Sequence, residues 1–388
     1  MKKKSSLPQK SSDDAFPQTP YPVPAAVSAK SSLADILAWT RQQRASDVHI
    51  TPNNPVFLRK FSYLTPATSD GVLVKQIQEM LENEIPPEQL EEFQKRGDLE
   101  FVHTVKGSGR YRMILTRQRF GIDISARVIA DRIMTFEETG MPKSCEALTH
   151  WAQGLVLVTG PSGCGKTTTL TALVEMMNQT REDHIITIED PIEYIYQQKK
   201  CQITQREIGK HTLSQANALR AALREDPDII VVSELRDLES IQLAVTAAET
   251  GHLVLGTMNT NDAAQTVSKL IFSFPADERS VITNMISESL RGVITQQLIP
   301  KADKTGVVSA FEVLIVNAAI SNLIRENKFQ QINNAIAVGK SAGMQLLDNS
   351  LQALVTQGSI DGVQAYRRAI NPRMFEQYAP KGGTLGKN

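Results

Sequence analysis

The sequence predicts an α/β protein: a phosphate-loop domain with a mostly parallel sheet and flanking helices, preceded by a small α+β domain. Three observations predict it. Residues 160–168 read Gly160-Pro161-Ser162-Gly163-Cys164-Gly165-Lys166-Thr167-Thr168, a G-x-x-x-x-G-K-[ST] loop lying between the apolar run Leu155-Val156-Leu157-Val158-Thr159 and a helix-like run. That strand–loop–helix context is what the motif requires. From residue 154 on, short apolar runs alternate with helical ones, the pattern of a parallel sheet wrapped by helices. Finally, 388 residues exceed what a single core ordinarily organises, so two domains with tails are expected.

Residues 1–30 are rich in Lys, Ser, Pro and Gln and read as a disordered tail. Ser32-Leu33-Ala34-Asp35 is a capping pattern ahead of an amphipathic helix over 33–43. Asp47-Val48-His49-Ile50 alternates as a strand does, Pro52-Asn53-Asn54-Pro55 is a turn, and a second strand starts at Val56. Residues 72–93 read as largely helical, broken near Pro86-Pro87. Strands over 99–105, 111–116 and 122–129 complete a small domain spanning 31–130, with the turn Lys106-Gly107-Ser108-Gly109 joining the first two. Polar and turn residues, including Gly140-Met141-Pro142, place a linker at 131–150. The phosphate-loop domain then runs from 151 to 370. Its strands are expected at 155–159, 184–189, 228–232 and 252–257, its helices at 166–178, 214–224 and 237–249. Helices over 285–297 and 317–326 follow. Residues 371–388 read as a second flexible tail.

Composition narrows the function classes. The 42 basic and 42 acidic residues balance, which argues against a nucleic-acid partner or a polybasic membrane binder. Three widely spaced cysteines, Cys145, Cys164 and Cys201, make neither a disulfide framework nor a C-x-x-C zinc pair, and fit a reducing, cytoplasmic setting. No apolar stretch follows Met1-Lys2-Lys3-Lys4, and no run of 18 apolar residues exists, so neither a signal peptide nor transmembrane insertion is expected.

The motif's chemistry assigns a nucleoside triphosphate as ligand and Mg²⁺ as its companion. Pro161, Ser162, Gly163, Cys164, Gly165, Lys166, Thr167 and Thr168 form the cradle. Backbone N–H groups turn inward on the phosphates, and the following helix adds its positive N-terminus. Lys166 reaches the β- and γ-phosphates, and the Thr167 hydroxyl ligates Mg²⁺. Hydrolysis also needs carboxylates. Two apolar strands run into them, Ile185 to Glu193 (with Glu189, Asp190 and Glu193) and Asp228 to Glu234. In a parallel sheet both would reach the edge that holds the phosphate loop, one acid holding Mg²⁺ and another orienting water. Strand-terminal acids also cap helices, Asp190 among them. His252 and Asn259 flank the next strand, where a polar side chain could sense the γ-phosphate; a lone histidine beside a strand is also often purely structural. Arg110, Arg112 and Arg127 lie on strands of the first domain, Arg110 and Arg112 on one face. An arginine from outside the phosphate-loop domain could complete charge stabilisation; a solvated charged face is the plainer account.

These residues resemble a known family, the PilT family of type IV pilus retraction ATPases, over about residues 33–370. Ala45-Ser46-Asp47-Val48-His49-Ile50, Gly109-Arg110-Tyr111-Arg112 with Ala126-Arg127-Val128-Ile129, Ile188-Glu189-Asp190-Pro191-Ile192-Glu193-Tyr194 and Ser233-Glu234-Leu235-Arg236-Asp237 are each similar to a family segment, in family order. The resemblance implies ATP as the nucleotide, a PAS-like first domain, a RecA-like second domain and a homohexameric ring with arginines supplied by a neighbour. It also implies Glu193 as catalytic glutamate, Glu234 as the Walker B glutamate beside Mg²⁺, and a cytoplasmic motor docked at the inner face of the membrane on a pilus platform protein. Two positions depart from the pattern: Asn259 stands where the family has its second box histidine, and Ser321 where its retraction segment has arginine. A pilus-assembly or secretion ATPase, or an accessory paralogue of weak activity, is the alternative. Assembly ATPases usually carry a four-cysteine zinc element, and Asn322-Leu323-Ile324-Arg325-Glu326 resembles the retraction segment, so retraction is favoured.

Overall fold

The structure, a computed structural model, describes residues 24–61 and 63–380. The parts of the expected tails at 1–23 and 381–388 lie outside the described residues. The chain divides into two compact units, Met1–Arg132 and Ile133–Asn388.

In the first unit, α1 (Leu33–Gln42) starts where its cap predicts. Ser32 Oγ accepts from the Asp35 N–H at 3.1 Å and donates to the Asp35 carboxylate at 2.7 Å. Pro86-Pro87 divides the next helical stretch into α2 (Val74–Glu84) and α3 (Pro87–Arg96), with Pro87 at the first helical position, where a missing N–H costs nothing. Six strands form one antiparallel sheet: β1 (Asp47–Ile50), β2 (Phe57–Lys60), β3 (Tyr63–Pro66), β4 (Asp98–Val105), β5 (Gly109–Gln118) and β6 (Gly121–Val128). Their order is β3-β2-β1-β6-β5-β4. Along β5, Tyr111, Met113 and Leu115 are buried and the residues between them are not. Val27 and Ala29 are buried in the same core, so the ordered chain begins before residue 31, where the polar composition around these two apolar residues hides it.

The second unit opens inside the stretch expected as a linker. Helix α4 (Phe136–Thr139) and a 3₁₀ turn, Lys143–Thr149, bury Phe136, Met141, Cys145 and Leu148 against the layer that covers Val156 and Val158. Four buried apolar side chains between Phe136 and Leu148 outweigh the Gly-Met-Pro turn signal that suggests a linker. The central sheet has seven strands: β7 (Gly154–Thr159), β8 (His184–Glu189), β9 (Gln202–Glu207), β10 (Ile229–Val232), β11 (Leu253–Met258), β12 (Leu290–Pro300) and β13 (Val307–Ile315). The order is β13-β12-β7-β11-β10-β8-β9, parallel except for β13. Successive residues of β7 serve opposite layers. Val156 and Val158 pack toward α5 (Lys166–Thr180), Leu155 and Leu157 toward α6 (Gln215–Ala222), α7 (Leu238–Glu249), α8 (Ala263–Phe272) and α9 (Arg279–Ser289). Helices on both faces are why its strands read as continuous apolar runs.

The stretch expected as one helix over 285–297 is instead the end of α9 followed by β12. The β-branched run Val293-Ile294-Thr295 favours a strand, and its side chains feed both core layers, which a helix face would not allow. α10 (Ala318–Arg325) begins after the cap Asn317 and holds the retraction-type segment. Phe375, in the expected C-terminal tail, is fully buried with Ile299, Leu347, Leu351 and Ile360.

Candidate nucleotide site

Strand β7 is wholly buried and delivers the chain to Gly160 at the C-terminal edge of the sheet. There the loop must turn close against β12. Gly160 has φ +141°, and a Cβ on it would lie 2.3 Å from the Gln296 carbonyl oxygen, so only glycine fits. Gly165, at φ +91°, forms the N-cap of α5 and brings no side chain to cap it. The first N–H groups of this 15-residue helix therefore remain for an external anion, with the helix dipole behind them. Lys166 and Thr167 occupy its first turn, half-buried, with Pro161, Ser162 and Gly163 exposed at the rim.

Three strands converge on Lys166. Its Nζ donates to the carbonyls of Gly160 at 2.9 Å and Pro161 at 3.1 Å, and to Asn259 Oδ1 at 2.7 Å. Asn259, just past β11, turns its Nδ2 to Glu234 Oε1. The amide orientation follows from its neighbours, since the reverse would set NH₂ against an ammonium and oxygen against a carboxylate. Glu234, past β10, also accepts from Arg236 at 2.9 Å, and its main-chain carbonyl accepts from Gln215. Burial pushes the Lys166 ammonium below the usual lysine value, against the opposite pull of Cys164 and Glu234. Low polarity also strengthens its attraction for an anion.

Strand β8 ends in the second acidic cluster. Glu189 is buried and accepts from Thr187 Oγ1 at 2.7 Å and Gln205 Nε2 at 2.9 Å. Burial pushes its carboxyl up to about 7, with those two donors opposing and Glu193 adding a like-charge push. Glu193 is half-buried in the loop beyond β8.

Not every predicted residue is here. His252 precedes β11, at the opposite end of that strand from Asn259. Its Nδ1 meets the Ala247 carbonyl at 3.1 Å, and its own carbonyl accepts from Gly154, the first residue of β7. It is a structural residue at the sheet's far edge, about 20 Å of strand away from the loop. Arg110, Arg112 and Arg127 belong to the first unit. Arg112 and Arg127 face each other across β5 and β6 and pair with Glu100 and Asp47 respectively. Conversely, Gln296 of β12 lies against the loop with no signal in the sequence, because its segment reads as helix and its contact spans 132 positions.

The profile described as Type II/IV secretion system protein matches residues 119–381. The chain belongs to this family. Among its relatives is one from Pseudomonas aeruginosa, described as type IV pilus retraction ATPase PilT. It is 42% identical over 88% of this chain and 99% of its own length. A twitching motility protein of Neisseria gonorrhoeae is 47% identical over 72% of this chain and 75% of its own. The crystal structure of the pilus retraction motor PilT with bound ADP superposes with a TM-score of 0.78 at 38% identity, covering 89% of this chain and 99% of that one. Within the family, therefore, the chain is PilT-like in sequence along its length and in its α/β fold.

Proposed function

We propose that this chain is the ATP-hydrolysing subunit of a motor that retracts a type IV pilus. The observation that carries the reading is the junction of Lys166, Asn259 and Glu234 at the phosphate loop, in a chain that matches a retraction ATPase over 88% of its length. The loop backbone and the N-terminus of α5 receive the ATP phosphates. Lys166 exchanges the Gly160 and Pro161 carbonyls for β- and γ-phosphate oxygens. Asn259 lies between that lysine and Glu234, placed to register the γ-phosphate. Glu193 orients the attacking water.

The residues fit Mg²⁺. Among the described residues no group of three or more His, Cys, Asp or Glu forms a ligand cage. Mg²⁺ on a nucleotide needs none, since waters and phosphate oxygens fill most of its sphere. Thr167 and Glu234 would hold it, and it would neutralise charge on the β- and γ-phosphates.

In this reading the motor is a homohexameric ring, and each nucleotide site is completed by Arg110, Arg112 or Arg127 of a neighbouring subunit. The ring would act in the cytoplasm against an inner-membrane platform protein. No helix among the described residues is long and apolar enough to cross a membrane. A second reading, an accessory subunit of weak turnover, is favoured by Asn259, which donates a hydrogen bond but, unlike histidine, cannot take up or release a proton. ATP turnover by purified protein, with Lys166→Ala as control, and pilus retraction in cells lacking the gene test the proposal. Turnover that survives Lys166→Ala, or unchanged retraction in those cells, would overturn it.

A further inference from the structure

Gln296 is 1% exposed, and both ends of its side-chain amide are engaged. Nε2 donates to the Cys164 carbonyl of the phosphate loop, and Oε1 accepts from the hydroxyl of Thr169, in the first turn of α5 and itself 2% exposed. Its backbone presses on Gly160, and Nε2 lies 2.9 Å from where a Cβ on Gly165 would be. The fold explains how it arrives. Strand β12 runs parallel to β7 with Thr295 opposite Thr159, their buried hydroxyls bonded at 2.8 Å. Side chains alternate along β12, so Gln296 shares the face of Ile294, which packs in the layer of α5. One residue past the end of β7, that face meets the loop.

We infer that Gln296 is a positioning residue of the nucleotide site, clamping the Cys164 carbonyl to Thr169 and so holding the loop's N–H groups toward the phosphates. The inference rests on reading 160–168 as the ATP site. A loop that turns its N–H groups inward turns carbonyls outward, and a carbonyl buried against β12 needs a donor there. Glutamine supplies a donor and an acceptor from one planar group; glutamate would set a carboxylate oxygen against the Cys164 carbonyl.

The test compares Gln296→Glu, Thr169→Val and Thr169→Ser in the full chain, measuring ADP and ATP dissociation constants, KM, kcat and thermal stability, with Lys166→Ala alongside. Gln296→Glu is expected to weaken nucleotide binding by about tenfold or more, the effect of one lost charge-free bond and one added repulsion. KM should rise in proportion and kcat change less. Thr169→Val should weaken binding severalfold, and Thr169→Ser, which keeps the hydroxyl, should recover most of that loss. A purely structural role would lower the melting temperature and leave the affinity of the folded protein intact, which overturns the inference. If Gln296→Glu does not fold, the Val and Ser variants decide: equal, wild-type affinities in both defeat the clamp. If Lys166→Ala binds ADP like wild type, the site reading itself fails; if Lys166→Ala loses binding while the others keep it, only the clamp fails.

Discussion

Replacing Asn259 by aspartate exchanges an amide for a carboxylate of the same shape at the junction of the nucleotide site. Asn259 now accepts from Lys166 at 2.7 Å and donates to Glu234. The aspartate keeps the first contact as a full ion pair and turns the second into a like-charge contact. Two unit charges about 4 Å apart interact by about 4 kcal/mol at an effective dielectric near 20 and about 1 kcal/mol in bulk water. Asn259 is exposed and the Glu234 side chain beside it is 20% exposed, so an intermediate figure of about 2 kcal/mol applies to the new carboxylate against a γ-phosphate at that spacing; its repulsion of Glu234 is present with and without nucleotide and drops out of the affinity. Two consequences share one direction: Lys166 is held more tightly away from the phosphates, and a negative charge faces the γ-phosphate. ATP affinity should fall about 30-fold at low salt, and by less at high salt, because this site is partly open to solvent. Asn259→Ala should cost less, since Lys166 keeps the Gly160 and Pro161 carbonyls and Glu234 keeps Arg236. Titration with fluorescent ATP and ADP at two salt concentrations measures both. An Asn259→Asp protein that binds ATP like wild type at low salt would refute the placement of this residue at the γ-phosphate.

Glu193→Gln should retain nucleotide binding and lose turnover by about 10²-fold or more, as for a lost water-orienting base; a larger loss in Glu189→Gln would move that role to the acid with the raised pKa. Mixing Arg112→Ala subunits with Lys166→Ala subunits should restore part of the ATPase activity that each lacks, because some interfaces would then pair an intact loop with an intact arginine; no recovery at any mixing ratio counts against a shared site. Stability should fall as pH rises from 4.5 to 7 through Glu312, fully buried on β13, whose carboxyl accepts from Ala263 N–H at 2.8 Å and Leu347 N–H at 3.4 Å while burial pushes its pKa up to about 7. The folded state holds this proton more tightly than the unfolded chain, so the contribution is complete below 4.5 and lost by 7. It amounts to about 3 kcal/mol. Glu312→Gln should flatten that part of the slope in denaturation midpoints taken at pH 5 and 7.5, and equal slopes in the two proteins would exclude the assignment.

How much of the fold was legible depended on whether an element's signal lay within its own residues. The sequence pattern marks β8 at its observed bounds, and β7, β10 and β11 within one residue, because a strand covered by helices on both faces is an unbroken apolar run. It does not mark β9, since Gln202-Ile203-Thr204-Gln205-Arg206-Glu207 is an edge strand with little to bury, held by its register with β8. β12 was lost because α9 passes into it at Ser289–Leu290 with no glycine or proline between them. Only the partner strands on both sides reveal the change of period.

The site divides the same way, and the division has a physical cause. Sequence alone proposes Lys166 and Thr167 because a phosphate loop's geometry is local, and Glu234 and Asn259 because each lies within two residues of the end of a parallel strand. One rule, that strand ends and phosphate loop share an edge, brings them together. His252 obeys the same rule read from the wrong end. It precedes its strand, and the length of β11 separates it from an edge that Asn259 reaches. Gln296 has no local signature: a glutamine on a strand is ordinarily a solvated residue, and only the pairing of Thr295 with Thr159 sets it against the loop. A motif therefore points to the groups proposed to meet a ligand, while the groups that pack against the motif are chosen by strand order. In this chain they come from the strand placed beside β7 by the sheet and far from it by the sequence.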